Sequence, residues 1–222
     1  MLVIFDVDGT LIDDGHVYTK AIREVLQSNG LPDMTDEAIL AHMGFDAQTV
    51  IMAFFGTLPD DRRDAAGAQA IRKIREKDLQ THPLFPGTLE MLKTVSELPN
   101  CKVALLSNKE HEALTVVVKS LFKDWNFFQV IGASKERAPK PAPDGILHLM
   151  ESAGAKPEET FMVGDTIVDV QTGHAANVQT IACTWGFHPR AQLEAEKPRH
   201  LVTNHQELVA ILEQAAYGRG SE

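Results

Sequence analysis

Residues 1–10 read Met1-Leu2-Val3-Ile4-Phe5-Asp6-Val7-Asp8-Gly9-Thr10, and this stretch decides the fold. Five apolar residues run without interruption into Asp6. Such a run suits a strand buried on both faces of a parallel sheet, whereas a half-exposed strand would alternate. It ends on two carboxylates, Asp6 and Asp8, followed by Gly9 and Thr10. Like charges this close repel unless positive charge lies between them. Either distant parts of the chain supply that charge, or the stretch is an acidic turn. A calcium loop does not fit. Its pattern puts Gly three residues past the second acid and Glu at position twelve, and those places hold Leu11 and Val17.

Four further short apolar runs follow: Lys102–Ser107, Phe127–Ile131, Thr160–Gly164 and Val178–Thr184. Helical patterns lie between and around them, at Gly87–Leu98, Glu110–Lys123, Asp144–Ala153 and Thr166–Ala176. Strands alternating with helices at this spacing predict an α/β protein with a doubly wound, Rossmann-like parallel sheet. Residues 14–83 break the rhythm. Tyr18, Ile22, Val25 and Leu26 form a helical stripe, and Thr35–Met43, Ala47–Phe55 and Asp60–Leu79 also read as helices. Gly30-Leu31-Pro32 and Gly56-Thr57-Leu58-Pro59 separate them. The expected organisation is a core domain of residues 1–13 and 84–222, with a small all-helical cap domain, 14–83, inserted after the first strand. The connections fall near Asp13–His16 and Thr81–Pro86, and Gly218–Glu222 reads as a frayed tail.

At 222 residues and 44% hydrophobic content, the chain can bury a sizeable core. A formal net charge of −10 argues against nucleic acid and anionic membrane surfaces as partners. Two cysteines, Cys101 and Cys183, support neither a disulfide framework nor a zinc cluster and read as buried thiols. The first residues lack a basic start, and no apolar run approaches the ~20 residues of a membrane span, so a cytoplasmic-type protein is expected.

In an open α/β sheet, ligands bind beyond the carboxyl ends of the strands. Strand one ends in Asp6-Val7-Asp8-Gly9-Thr10, and strand two in Ser107-Asn108. The loop after strand three carries Lys140-Pro141; strand four ends in Gly164-Asp165-Thr166, with Asp169 four residues past Asp165. Singly, Asp165, Ser107 and Asn108 read as helix caps and Lys140 as a surface lysine. Together, carboxylates, a hydroxyl and one lysine on one edge are chemistry for a phosphate with a divalent cation. Hard oxygen ligands suit Mg²⁺.

This ordered set resembles the haloacid dehalogenase-like hydrolase superfamily across nearly the whole chain. Asp6–Thr10 matches its first motif, Leu105–Asn108 the second, Lys140-Pro141 the third and Gly164–Asp169 the fourth. The helical insert is similar to the cap of one large branch, which holds phosphoglycolate phosphatase-like and β-phosphoglucomutase-like members. The resemblance implies that Asp6 is the nucleophile, forming an aspartyl-phosphate, and that Asp8 is the general acid and then base. It implies Mg²⁺ held by the Asp6 carboxylate, the Asp8 backbone carbonyl and Asp165, with Asp169 as a water-mediated ligand or a partner of Lys140. Ser107, Asn108 and Lys140 would hold the phosphoryl group, and Gly9 and Thr10 would bring backbone amides to it. Dehalogenase and phosphonate-cleaving members lack the aspartate at the place of Asp8, so a phosphomonoester enzyme is implied.

The cap stretch Met43–Gln48 is the expected substrate contact. Gly44 matches a family glycine or simply ends a helix, and Phe45 is a contact or cap core. His16 and Tyr18 could face the cleft, with the surface as the alternative for His16. Asp13 is expected to make a structural hydrogen bond. Two departures are mild: Val7 replaces a larger apolar residue, and Asn177 stands where relatives have Gly at a left-handed helix end. The expected partner is a small phosphorylated metabolite, phosphoglycolate first, acted on by a monomer or homodimer. A sugar-phosphate mutase and a non-catalytic phosphate-binding regulator are the alternatives.

Overall fold

The computed structural model describes residues 1–78 and 83–218. The chain runs β1 (Leu2–Phe5), α1 (Gly15–Ser28), α2 (Asp36–Leu40), α3 (Ala47–Phe55), α4 (Asp60–Asp78), α5 (Thr88–Ser96), β2 (Lys102–Glu110) and α6 (His111–Leu121). It continues through β3 (Val130–Ala133), α7 (Asp144–Ala153), β4 (Thr160–Gly164), α8 (Ile167–Ala175), β5 (Gln179–Cys183), α9 (Arg190–Ala195), β6 (His200–Val202) and α10 (His205–Tyr217). The expected helix end at Leu79, the tail 219–222 and Thr81 lie outside the described residues.

The strands form one parallel sheet in the order β3-β2-β1-β4-β5-β6. Along β1, Val3 and Phe5 join one buried cluster, and Leu2 and Ile4 join another on the opposite face. α5, α6 and α10 cover the first face and α7 the second, so neither face of β1 meets water and its uninterrupted apolar run is explained. α1 to α4 gather around a separate cluster that includes Ile22, Val25, Ile39 and Phe55. The chain winds from β1 through β2 to β3 on one side, then returns to begin β4 on the other. β1 and β4 are therefore adjacent at the switch point, where the carboxyl ends of strands open a crevice.

Several sequence readings shift. β3 begins at Val130, not Phe127, because Phe127 packs on the rings of Phe122 and Trp125 and takes no part in the ladder. β2 runs past Ser107 to Glu110, through an irregularity after Leu106. α9, β6 and α10 were not anticipated, and β6 is only three residues long. Cys183 is buried, but Cys101 lies just ahead of β2 and is partly exposed. Val7 points into the core, fully buried.

Asn177 takes φ +56°, in the left-handed region, just beyond α8. Its amide and that of Val178 donate to the carbonyls of His174 and Gly173, closing the helix end. Asn reaches this conformation more cheaply than a branched residue does. Asn177→Val is expected to lower stability by about 1–2 kcal/mol in urea unfolding, with Asn177→Gly near wild type.

Candidate active site

Asp6 follows the end of β1, and its amide donates to the Val163 carbonyl of β4 at 2.8 Å, locking the two strand ends together. Asp165 follows the end of β4, and Asp169 lies in the first turn of α8. All three are buried, and a carboxylate oxygen from each lies within 4.8 Å of the others. Lys140, itself 2% exposed, places Nζ 3.0 Å from Asp6 Oδ1 and 2.6 Å from Asp169 Oδ1. One lysine thus faces three buried carboxylates.

Local hydrogen bonds fix each group. Asp169 Oδ2 accepts from the amide and the hydroxyl of Thr166, which orients Oδ1 toward Lys140. Asp165 Oδ1 accepts from the Thr10 hydroxyl at 2.6 Å, and Oδ2 accepts from the Phe187 amide at 2.7 Å. A Cβ at Gly9, which sits at φ +77°, would collide with the Asp165 carboxylate. Asn108 grips the backbone of Lys140 from both sides. Its Oδ1 accepts from the Lys140 amide at 2.9 Å and its Nδ2 donates to the Lys140 carbonyl at 2.8 Å.

The electrostatics follow from the charge imbalance. Burial pushes the Asp6 carboxyl well above its ordinary range, Asp169 adds to this, and Lys140 offsets only part. Burial, with Asp169 beside it, raises Asp165 to about 7. Lys140 moves upward: burial opposes its charge, but Asp169 and Asp6 outweigh burial. Burial also pushes Asp8 up, yet Lys109, with Nζ 3.1 Å from Oδ1, and a hydrogen bond from Asp14 bring it below the usual carboxylate range. The set fits a divalent cation: Asp6, Asp165 and Asp169 are hard oxygen donors carrying more negative charge than Lys140 balances.

A cavity of about 380 Å³ opens in front of this cluster, with Asp6, Asp8, Ser107, Asn108 and Lys109 on the core side and Gly44, Phe45 and Tyr18 on the helical side. Ser107 is buried, and its oxygen accepts from the Lys109 amide. The two sides also meet through backbone. Nδ2 of Asn108 donates to the Gly44 carbonyl at 2.9 Å. His188 accepts from the Ile167 amide at Nδ1, so Nε2 carries the proton and donates to the Met43 carbonyl at 3.2 Å. Gly44, at φ +87°, lies so close to Thr166 that a Cβ would come within 2.8 Å of its side chain.

Some expected roles change. Both Nδ2 protons of Asn108 are engaged with backbone carbonyls, so it positions Lys140 and docks Gly44 and does not offer a donor to phosphate. The Gly9 and Thr10 amides bond to the carbonyls of Ile12 and Val7 within the turn. They are not turned toward a ligand; Gly9 makes room for Asp165 and Thr10 holds it. His16 is exposed on α1 and is absent from the cavity wall among the described residues. Asp13 exposes its side chain and bonds through its amide to Pro83, whereas the adjacent Asp14 is buried beside Asp8. Phe45 lines the cavity and lies outside the apolar cluster of the helical unit. Within Met43–Gln48, Asp46 caps α3 instead of facing the cavity.

Sequence reasoning missed Lys109, Asp14 and the loop after β5. In that loop Trp185 Nε1 donates to the Thr10 carbonyl at 3.0 Å, and the Phe187 ring meets Tyr18 edge to face at 5.8 Å. The signal was present: Thr184-Trp185-Gly186-Phe187-His188-Pro189 follows strand five, and the strand-end rule applied to it would have found them.

The chain belongs to the haloacid dehalogenase-like hydrolases, whose family model matches residues 3–183. It is 30% identical over 214 residues to a phosphoglycolate phosphatase of Pseudomonas putida, covering 94% of this chain and 78% of that one. It is likewise 30% identical over 212 residues to a probable phosphatase IndB of Dickeya dadantii, covering 94% and 91%. In fold, it matches the crystal structure of a predicted phosphoglycolate phosphatase from Haemophilus somnus, with TM-score 0.85, 20% identity, and coverage of 95% and 96%.

Lys140→Met removes the lysine that pairs with both Asp6 and Asp169. A loss of about 3–5 kcal/mol is expected at pH 8 by chemical unfolding. Part of that loss returns toward pH 5, because the Asp6 carboxyl, raised by burial and no longer offset by Lys140, is relieved by taking up a proton.

Proposed function

We propose that the protein is a Mg²⁺-dependent phosphatase that hydrolyses a small organic phosphate monoester through an aspartyl-phosphate on Asp6. The observation that carries this reading is the three-carboxylate, one-lysine cluster, open through Asp6 and Asp8 to the cavity. Phosphoglycolate, the substrate in the names of several relatives, is a candidate to assay.

In this reading Lys140 and Ser107 orient the phosphoryl group over Asp6. Asp6 attacks phosphorus and the bond to the ester oxygen breaks. Asp8 gives that oxygen its proton. Asp8, held ionised by Lys109, then takes a proton from water as the water attacks the aspartyl-phosphate. Inorganic phosphate leaves and Asp6 is restored. Asp6 and Asp165, with the Asp8 carbonyl, would hold Mg²⁺, and Asp169 serves as the partner of Lys140. When bound, Mg²⁺ supplies positive charge that favours ionised Asp6 and offsets the charge of the phosphoryl oxygens.

With p-nitrophenyl phosphate and Mg²⁺, Asp6→Asn is expected to abolish turnover. Asp8→Ala should lower it by about a hundredfold or more. Near-wild-type rates in either would overturn the assignment.

A pH dependence follows from Asp165. Its folded pKa of about 7 lies above the unfolded value, so the metal-free folded state gains stability as the pH falls through 7. The same proton competes with a cation for the carboxylate. The rise in melting temperature on adding Mg²⁺ should therefore be larger at pH 8 than at pH 6. Asp165→Asn should remove most of that rise and its pH dependence.

A further inference from the structure

We propose that the site is built for phosphate monoesters whose alcohol part is apolar and ring-sized, an aromatic or alicyclic alcohol, in preference to a short acid such as glycolate. This rests on the phosphatase reading and adds the class of leaving group.

Among the described residues, the carboxylates Asp6 and Asp8 line the cavity of about 380 Å³ from the core side. Above Asp6 and Asp8 the wall rises into the helical unit and turns apolar. Tyr18 comes from α1, Phe45 from the turn before α3, Val50 from α3, and Ile71 and Ile74 from α4. Phe45, Ile71 and Ile74 belong to none of the apolar clusters among the described residues, although each lines the cavity. These large apolar side chains are held out of the core and gathered over a reactive carboxylate. A ring entering here would cover them and meet Phe45, Tyr18 and Phe187 at aromatic contact.

Charge points the same way. Among the described residues, Lys109 and Arg75 are the cations that line the cavity. Lys109 is paired with Asp8, and Arg75 with Glu110 across the gap between α4 and β2. A carboxylate on the leaving group would have to break one of these pairs. Otherwise it would lose its hydration against an apolar wall without a partner. A neutral ring pays neither cost.

The test compares kcat/KM for benzyl phosphate, ethyl phosphate, 2-phosphoglycolate and glucose 6-phosphate in Mg²⁺. All are esters of aliphatic alcohols, so an activated phenol leaving group does not bias the comparison. Benzyl phosphate is expected to exceed each of the others by about ten- to a hundredfold, the range for burying one ring. Ile74→Asp should cut the benzyl-to-ethyl ratio about tenfold, and Ile71→Ala moves it the same way if the first variant does not fold. A lead for 2-phosphoglycolate or glucose 6-phosphate overturns this inference and leaves the phosphatase reading standing. So does a benzyl-to-ethyl ratio that neither variant moves. Hydrolysis of none of the four by folded protein overturns both.

Discussion

Lys140 is the point on which the structure turns. A buried ammonium between Asp6 and Asp169 is tolerable only because two carboxylates hold it, and they are tolerable only because it is there. Much of the surrounding architecture serves that contact. The winding of the sheet brings the ends of β1 and β4 together, and with them Asp6 and Asp165. Asn108, at the end of another strand, clamps the backbone on which Lys140 is carried. Thr166 aims Asp169 at the start of α8. One cation does not balance the third carboxylate, and this residual negative charge gives the cluster a donor set that fits a divalent cation, where a wholly structural ion pair would be neutral.

A second tier of contacts joins the helical unit to this charged floor. The core reaches across with the side chains of Asn108 and His188, and the helical side answers with the carbonyls of Gly44 and Met43. Asn108 therefore belongs to both tiers: the same amide that fixes Lys140 also fixes the loop above it. Phe187 is similar, since its amide holds Asp165 while its ring packs on Tyr18. The position of the cavity roof is thus coupled to the geometry of the reactive groups.

The fold class was legible because strands buried on both faces write unbroken apolar runs, and Leu2–Phe5 and Thr160–Gly164 are such runs. β6 was not, since three residues carry no period. Phe127 misled because an aromatic beside a strand packs into the core as well as one within it. In the site, Asp6, Lys140, Asp165 and Asp169 could be placed from the strand-end rule and motif order. What those motifs could not convey was how hydrogen bonds are allotted. Asn108 stands in the expected place, yet its donors are committed to backbone. A structural hydrogen bond was expected at Asp13, whereas its neighbour Asp14, one residue on, is the carboxyl buried beside Asp8. Lys109 sits beside the second motif, and only three-dimensional placement reveals its pairing with Asp8.

The docking of the helical unit through the Met43 and Gly44 carbonyls has an evolutionary reading. A carbonyl is the same in every residue, so substitution in that loop leaves these two latches intact provided Gly44 keeps its small size and backbone twist. Apart from Phe45 in the loop itself, the helical side's large apolar residues that shape the chamber stand elsewhere, on the faces of α1, α3 and α4. Attachment and chamber shape are thereby written in different alphabets, main chain for one and side chain for the other. A lineage can rewrite the second without erasing the first, and one hydrolytic floor can be re-roofed for new esters.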